Sequence, residues 1–159
     1  MVTKNTKVTP EMKQSCYCNL VQALRDTSYL LNQTYIVHWN IMGSKFYPIH
    51  KLTKKIYEEM QEGLDTVAEH LRSMNIKTPT SVEDLNKSIM LSLPEDCFDQ
   101  EGMIATLAQN YNTLAEQFIA LADEAEMIKD QLTLDLAVER ARANKKQQWL
   151  LKSNLTADF

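Results

Sequence analysis

The sequence predicts an all-α protein: a bundle of four long helices with one short extra helix in a long crossover between the second and the third. The chain of 159 residues holds only 3 glycines and 4 prolines, too few for the frequent turns of a β-sandwich or β-barrel. Apolar residues instead recur at steps of three and four along four long stretches, which is the helical period. The length, with 44% hydrophobic and 24% charged residues, is ordinary for one domain with a single core.

The first long helix is predicted to begin at Thr9-Pro10-Glu11. Threonine can cap a helix, proline fits the first helical position, and glutamate suits the positive end of the helix dipole. No glycine or proline interrupts the pattern before Gly43, so this helix should cover roughly 30 residues. Its apolar stripe consists of Tyr17, Leu20, Leu24, Leu31 and Tyr35.

The second long helix is predicted to open at Pro48, after a turn at Gly43-Ser44, and to end before the break at Lys77-Thr78-Pro79-Thr80. Carboxylates recur on one face of this helix, which is typical of a solvated surface and also suits a hard cation such as iron, manganese or magnesium. The apolar face is formed by Ile49, Leu52, Ile56, Met60, Leu64, Val67, Leu71 and Met74. The opposite face, here called the acidic stripe, is formed by Glu58, Glu62, Asp65 and Glu69.

The second half of the chain predicts one short and two long helices. Ser81-Val82-Glu83-Asp84 resembles the capped start of a short helix that runs to about Ile89, inside a crossover over roughly residues 75–98. Asp99 is the predicted cap of the third long helix, and the fourth follows a short link at 127–130. Two helical hairpins joined by one long crossover are the ferritin-like arrangement.

Three parts are therefore expected: a flexible N-terminal tail over residues 1–9, a bundle over 10–152, and a C-terminal tail over 153–159. The net charge of −4 and the pI near 5.4 mean that the folded body should not attract nucleic acid by charge alone. No apolar run fits a signal peptide or a membrane span, which predicts a cytoplasmic protein without a membrane partner.

The chain has three cysteines and no export signal, so reduced thiols are expected. Cys16 and Cys18 lie two positions apart on a helix and do not converge as a metal pair. The simplest interpretation of Cys16, Cys18 and Cys97 is small, partly buried side chains.

All three histidines fall between residues 38 and 70. His38 lies near the end of the first helix and His50 in the first turn of the second, so a tight hairpin would bring the two together. Either histidine alone is typical of a satisfied core residue, whereas two that flank one loop also fit a metal site. His70 lies off the acidic stripe.

The sequence around these histidines resembles the Dps family, the mini-ferritins named as DNA-binding proteins from starved cells. The resemblance rests on the run His38-Trp39-Asn40-Ile41-Met42-Gly43, on Phe46 and His50, and on the segment from Asp65 to Arg72. The spacings match as well, with twelve residues between the two histidines, fifteen more to Asp65 and four more to Glu69. Trp149-Leu150-Leu151 is similar to the family's C-terminal ending, so the resemblance covers nearly the whole chain.

The resemblance implies a hollow homo-dodecamer that oxidises Fe(II), preferentially with hydrogen peroxide, stores ferric mineral inside and thereby protects DNA. It also implies an iron site between subunits, with His38 and His50 from one chain and Asp65 and Glu69 from its neighbour. The acidic stripe agrees independently, because carboxylates that point away from their own core can be shielded only by another subunit. Trp39, beside the first ligand, is expected to pack the site or to act as a sacrificial electron donor.

One position departs from the pattern. Many members of the family carry an aspartate four residues after the second histidine, where this chain has Lys54. The lysine is expected either to pair with Glu58 or to weaken a second iron position by like-charge repulsion. The number of irons per site is therefore open.

Two further assignments follow from the resemblance. Acidic residues near the link between the last two helices are expected either to line iron-entry pores or to be solvated helix ends; they are Asp123, Glu126, Asp130 and Asp135, with Asp130 and Asp135 the foremost pore candidates. Lys4 and Lys7 in the tail favour contact with DNA, and many copies could act together. A shell of chains that each carry a net charge of −4 repels phosphate, so only weak DNA binding is predicted.

Two alternative functions remain open on the sequence. One is a nucleoid-associated shell that coats DNA and whose iron site is impaired by Lys54. The other is a helical bundle used for protein contacts, with the acidic stripe merely solvated.

Overall fold

The computed structural model describes residues 7–91 and 99–155, and within them the chain is built from helices joined by turns. The long helices pair as two hairpins, one before and one after the crossover, and the expected four-helix bundle with a short extra helix is confirmed. The helices are α1 (Pro10–Asn40), α2 (Phe46–Ser73), α3 (Val82–Leu85), α4 (Gln100–Met127) and α5 (Gln131–Lys152).

Predicted caps begin three of these helices. The side chain of Thr9 accepts a hydrogen bond from the backbone N–H of Met12 at the start of α1. Ser81 accepts one from Asp84 N–H at the start of α3, and Asp99 one from Gly102 N–H at the start of α4.

The helix α2 begins two residues earlier than expected, at Phe46 rather than Pro48. A proline is compatible with the first turn, since the N–H groups there have no acceptor within the helix. The loop before α2 is fixed by Gly43, whose φ of +93° is open to glycine without strain, and by Gln100, whose side chain accepts the N–H of Lys45 at 2.8 Å.

The helix α3 is shorter than expected, because it ends at Leu85 instead of near Ile89. Its C-cap residue Asn86 is held by α1, where Ser28 and Asn32 both donate to its side-chain oxygen. An ion pair between Arg25 and Asp84, at 2.9 Å, fixes the same part of the crossover to α1. Cys97 and Pro94 lie outside the described residues, as does Lys4.

The core lies between the α1–α2 hairpin and the α4–α5 hairpin, with α1 packed on α2, α3 and α4. Most residues of the predicted apolar stripes are buried there, whereas Tyr17, Tyr35, Leu52, Leu64 and Met74 are half-buried at its margin. The largest fully buried side chains are Tyr111, Phe118, Leu20, Leu24, Leu30, Ile41, Ile49, Ile56, Met60, Leu71, Ile104 and Leu107. In the described ranges, no helix is long and apolar enough to cross a membrane.

An ion pair between a buried arginine and a half-buried glutamate joins α5 to α2. Arg140 of α5 is 3% exposed, and its Nη1 lies 2.7 Å from Oε1 of Glu59 on α2. Gly63 makes room for this arginine, because a Cβ at that position would lie 2.3 Å from the guanidinium carbon. The ion pair therefore links α5 to α2 inside the bundle.

Candidate metal centre at the first helical hairpin

His38 and His50 meet at the end of the α1–α2 hairpin. Their rings are stacked, with centroids 3.8 Å apart and planes 16° from parallel. His38 is buried at 8% exposure and His50 is half-buried. The expectation that a tight loop would bring these two histidines together is confirmed.

Hydrogen bonds assign the protons of both imidazoles. The hydroxyl of Thr53 donates to the carbonyl oxygen of Ile49 at 2.8 Å, so it accepts the Nδ1–H of His38 at 3.0 Å. Nδ1–H of His50 donates to the carbonyl oxygen of His38 at 2.9 Å. In the neutral form of each ring, Nε2 therefore carries the lone pair, which is the arrangement that metal-binding histidines adopt.

Electrostatics also favours a neutral His38. Burial lowers the pKa of this imidazole below its usual 6.5, and the nearby His50 lowers the pKa further, with a smaller contribution from Lys54. Because a metal ion must displace a proton from an imidazolium but not from an imidazole, a low pKa prepares His38 for metal binding.

A chain of aromatic rings, here called the aromatic stack, leads away from the histidines. Tyr57 packs edge-on against His38 with centroids 5.2 Å apart, and Tyr35 lies 4.7 Å from Tyr57. Trp39 is stacked on Tyr35 at 5.5 Å and 15°, and its own side chain is 68% exposed. On the other side, Phe46 lies 5.2 Å from His50.

Sequence reasoning missed Thr53, Tyr57 and the role of Tyr35. Helical spacing held the signal, because Thr53 and Tyr57 follow His50 by three and seven positions and therefore share its side of α2. Tyr35 precedes His38 by three positions, but it was assigned to the apolar stripe of α1.

The carboxylates of the acidic stripe lie elsewhere on the chain. Asp65 and Glu69 are exposed, as are Glu58 and Glu62. Asp65 follows His50 by fifteen residues of continuous helix, a separation of roughly 22 Å along its axis. Across residues 7–91 and 99–155, no three His, Cys, Asp or Glu side chains stand close enough to hold a metal ion. One chain thus brings the two histidines together and leaves the two carboxylates apart from them.

Lys54 makes one of the contacts expected for it. Its Nζ lies 3.8 Å from Oε1 of Glu58, one turn further along α2, and both side chains are more than half exposed. A pair this exposed contributes little to stability. Lys54 also lies one helical turn after His50, on the same side of α2.

The third histidine, His70, contacts the N-terminal cap of α5 and is not part of this site. Nε2 of His70 lies 2.9 Å from Oγ1 of Thr133, whose hydroxyl donates to Asp130. Asp130 caps α5 by accepting from the Thr133 N–H and also accepts from the Tyr17 hydroxyl. Partial burial alone would raise the pKa of Asp130, but these hydrogen bonds hold the pKa below its usual range.

Because its oxygens serve the cap, the structure favours a helix-end role for Asp130. Asp135 is exposed and accepts from the side chain of Gln131 at 2.9 Å, while Asp123 and Glu126 are exposed. A pore role for Asp135 stays a prediction.

Of the cysteines, Cys16 and Cys18 are free thiols. Cys16 is fully buried, which raises the pKa of its thiol to about 12, and Cys18 is exposed rather than partly buried.

Comparisons with known proteins agree with this architecture. A family model described as a ferritin-like domain matches residues 18–158. A low temperature-induced protein of Nostoc sp. is 28% identical over 151 residues, which cover 94% of this chain and 84% of the relative. A DNA protection during starvation protein of Helicobacter pylori is 24% identical over 131 residues, which cover 82% of this chain and 91% of the relative.

One solved structure shows a similar fold. It is the crystal structure of a Dps protein from Vibrio cholerae O1, described as a member of a broad superfamily of ferritin-like diiron-carboxylate proteins. Its TM-score to this chain is 0.82 at 22% identity, and the match covers 96% of each. Together with the family model that spans most of the sequence, these similarities show that the chain belongs to the ferritin-like family and, within it, to the Dps proteins.

Proposed function

We propose that this protein oxidises Fe(II) with hydrogen peroxide at a site shared by two subunits and stores the ferric product inside a hollow dodecamer. Iron is then both substrate and cargo, and its removal protects DNA from the reaction of free Fe(II) with peroxide. The observation that carries the proposal is the stacked pair His38 and His50, with both Nε2 lone pairs free for a metal. The names of the Helicobacter and Vibrio relatives support the link to DNA protection and to diiron-carboxylate chemistry.

A two-fold axis near the middle of α2 would complete the site. Each chain offers a histidine pair near one end of α2 and the carboxylates of Asp65 and Glu69 further along it. An antiparallel partner helix then lays the partner's Asp65 and the partner's Glu69 opposite His38 and His50, and the same symmetry builds a second site. Apolar side chains near the histidine pair are exposed in the single chain and suit such a contact; they are Trp39, Met42, Phe46 and Tyr47.

The ligand set fits the chemistry. Imidazole nitrogen binds Fe(II) well, and carboxylate oxygen stabilises the harder Fe(III) that forms. Hydrogen peroxide accepts two electrons and two protons to give two molecules of water, and each Fe(II) supplies one electron.

Iron uptake tests the proposal. Fe(II) is added without oxygen to the purified assembly, peroxide follows, and iron is counted per particle after gel filtration. We expect soluble particles that retain hundreds of irons, with this gain lost in a His50→Ala, Asp65→Ala double variant. His70→Gln is the matched control, since that histidine belongs to a helix cap. Iron that precipitates as it does in buffer would refute the ferroxidase function.

A DNA-coating shell with an impaired iron site is the second candidate, and the lysine at position 54 favours it. Lys7 is exposed, but the net charge of −4 per chain opposes phosphate binding. The migration of DNA in a gel, at low and at physiological salt, separates the two functions. The proposed ferroxidase is expected to slow the DNA weakly, and only at low salt. A cytoplasmic location and a homo-dodecamer belong to the same proposal, and light scattering tests the dodecamer.

A further inference from the structure

The exposed face of α2 changes the sign of its charge along the helix. The turns after His50 carry Lys51, Lys54 and Lys55, here called the basic half, which line one shallow depression together with Glu58. The acidic stripe follows on the same side, since all these lysines and carboxylates fall within about 60° of one direction at about 100° per residue. A single α2 therefore offers positive charge near the histidine pair and negative charge further along.

Two such faces complement each other when two α2 helices lie antiparallel. The two-fold arrangement proposed above sets the basic half of one chain opposite the acidic stripe of the other, and symmetry repeats the contact. Opposite charges across a contact fix its register, whereas a parallel arrangement sets like charges side by side. Because the partner's Asp65 and the partner's Glu69 lie opposite the histidine pair only in the antiparallel arrangement, the inference rests on the proposed shared iron site.

Within the basic half, Lys54 is the lysine that lies nearest to the histidine pair around the helix. It is about 40° from His50, whereas Lys55 is about 140° away. The charge of Lys54 also acts on the other imidazole, because it contributes to lowering the pKa of His38. An ammonium group therefore stands beside both of the proposed nitrogen ligands.

The contact that Lys54 makes within its own chain is weak. Its Nζ lies 3.8 Å from Oε1 of Glu58, and both side chains are more than half exposed. A lysine side chain is long and flexible, so the ammonium group can leave Glu58 for a stronger partner. Two carboxylates four residues apart repel each other, and once a second chain shields them from water they need a positive charge nearby.

We propose that Lys54 pairs with the carboxylates of the partner's Asp65 and the partner's Glu69 until Fe(II) takes its place. Before iron binds, the ammonium group holds the two subunits together. Fe(II) carries twice the charge and also binds the imidazoles of His38 and His50, so it displaces the ammonium group, which returns to Glu58. Lys54 therefore sets the Fe(II) concentration at which the site fills, and it stabilises the contact between subunits before that point.

Lys54→Met tests both parts of this role, because methionine keeps an unbranched side chain and removes the charge. Titration of the assembled protein with Co(II) should show binding about tenfold tighter than in wild type, since no ammonium group has to leave. Without metal, the variant should dissociate at a protein concentration about tenfold higher in analytical ultracentrifugation, because the carboxylates lose their counter-charge. Simple repulsion between Lys54 and the metal would tighten Co(II) binding but leave the metal-free assembly unchanged.

Lys55→Met is the matched control, since it removes the same charge from the next residue, and its affinity for Co(II) should equal that of wild type. An unchanged Co(II) affinity in Lys54→Met would overturn the inference, and so would a metal-free assembly as stable as that of wild type. An equal gain of affinity in Lys55→Met would also overturn it, since the net charge of the face would then explain the effect. The proposed function fails separately, if wild type forms Fe(III) no faster than the His50→Ala, Asp65→Ala variant.

Discussion

At the scale of single residues, Thr53 decides what the histidine pair can bind. Its hydroxyl gives its proton to the carbonyl of Ile49 and so can only accept from Nδ1–H of His38. This relay fixes the orientation of the ring and leaves Nε2 unprotonated. The residue is buried and carries no charge, so any effect on metal binding would pass through the imidazole.

Thr53→Val keeps the shape and removes the acceptor. We expect the affinity for Co(II) or Fe(II), measured by titration calorimetry on the assembly, to fall by about 10–100-fold. Thr27→Val is the control, since its hydroxyl is also buried and also donates to a carbonyl of its own helix. Equal affinities in the two variants would show that Thr53 only fills space.

The pH dependence of stability follows from His38. Burial lowers its pKa in the folded state, so between 6.5 and the folded value the unfolded chain binds a proton that the folded chain does not. This contribution to stability is therefore complete above pH 6.5 and is lost as the pH falls towards the folded pKa. Urea unfolding at pH 8 and pH 5.5 should show a smaller loss on acidification in His38→Gln than in wild type, and an equal loss would contradict the assignment.

At the scale of helices, α2 carries both the candidate ligand His50 and the space for the ion pair between Arg140 and Glu59. Gly63→Ala adds a methyl group 2.3 Å from the Cζ of Arg140, so the guanidinium must leave its 2.7 Å contact with Glu59. Loss of this partly buried pair outweighs the better helix propensity of alanine, and the free energy of unfolding should fall by about 1–3 kcal/mol.

Urea unfolding measures that loss. Glu139→Ala is the matched control, because Glu139 also lies near Arg140, at 3.4 Å, but is exposed. Its removal should change the free energy of unfolding by less than about 1 kcal/mol. A Gly63→Ala variant as stable as wild type would mean that the arginine has room to move.

Sequence patterns predict some helix ends well and others poorly. The bounds of α1 and the caps Thr9, Ser81 and Asp99 followed from local rules, because caps and apolar periodicity act within one or two turns. The end of α3 did not, since Asn86 is held by side chains of α1 more than fifty positions away. The pairing of Glu59 with Arg140 and the ring contacts of Tyr57 likewise depend on packing between helices.

At the scale of the whole molecule, the candidate ligands divide between two places on α2. His38 and His50 were predictable as neighbours because one hairpin links them. The pairing of these histidines with Asp65 and Glu69 of a second chain stays a prediction. A contact between two chains produces no periodic pattern in the sequence of one chain.

Mixed assemblies check that partnership directly. Subunits with His38→Ala and His50→Ala are refolded with subunits carrying Asp65→Ala and Glu69→Ala, each inactive alone. A mixed dimer regains one intact site of its two, so random pairing should restore about a quarter of the wild-type rate of Fe(III) formation. No recovery, with assembly shown by light scattering, would place all ligands within one chain.

The separation of the histidines from the carboxylates by roughly 22 Å of helix has a consequence for biosynthesis. For the proposed shared site, a newly made chain would carry only half of the ligand set, and so would any chain that has lost its neighbour. The proposed reaction would then begin only once a second chain has docked, and the activity per chain would fall when the protein is diluted below the concentration at which pairs form. On the proposed function, iron would therefore not be oxidised on separate monomers, and each ferric ion would form at the contact between two subunits.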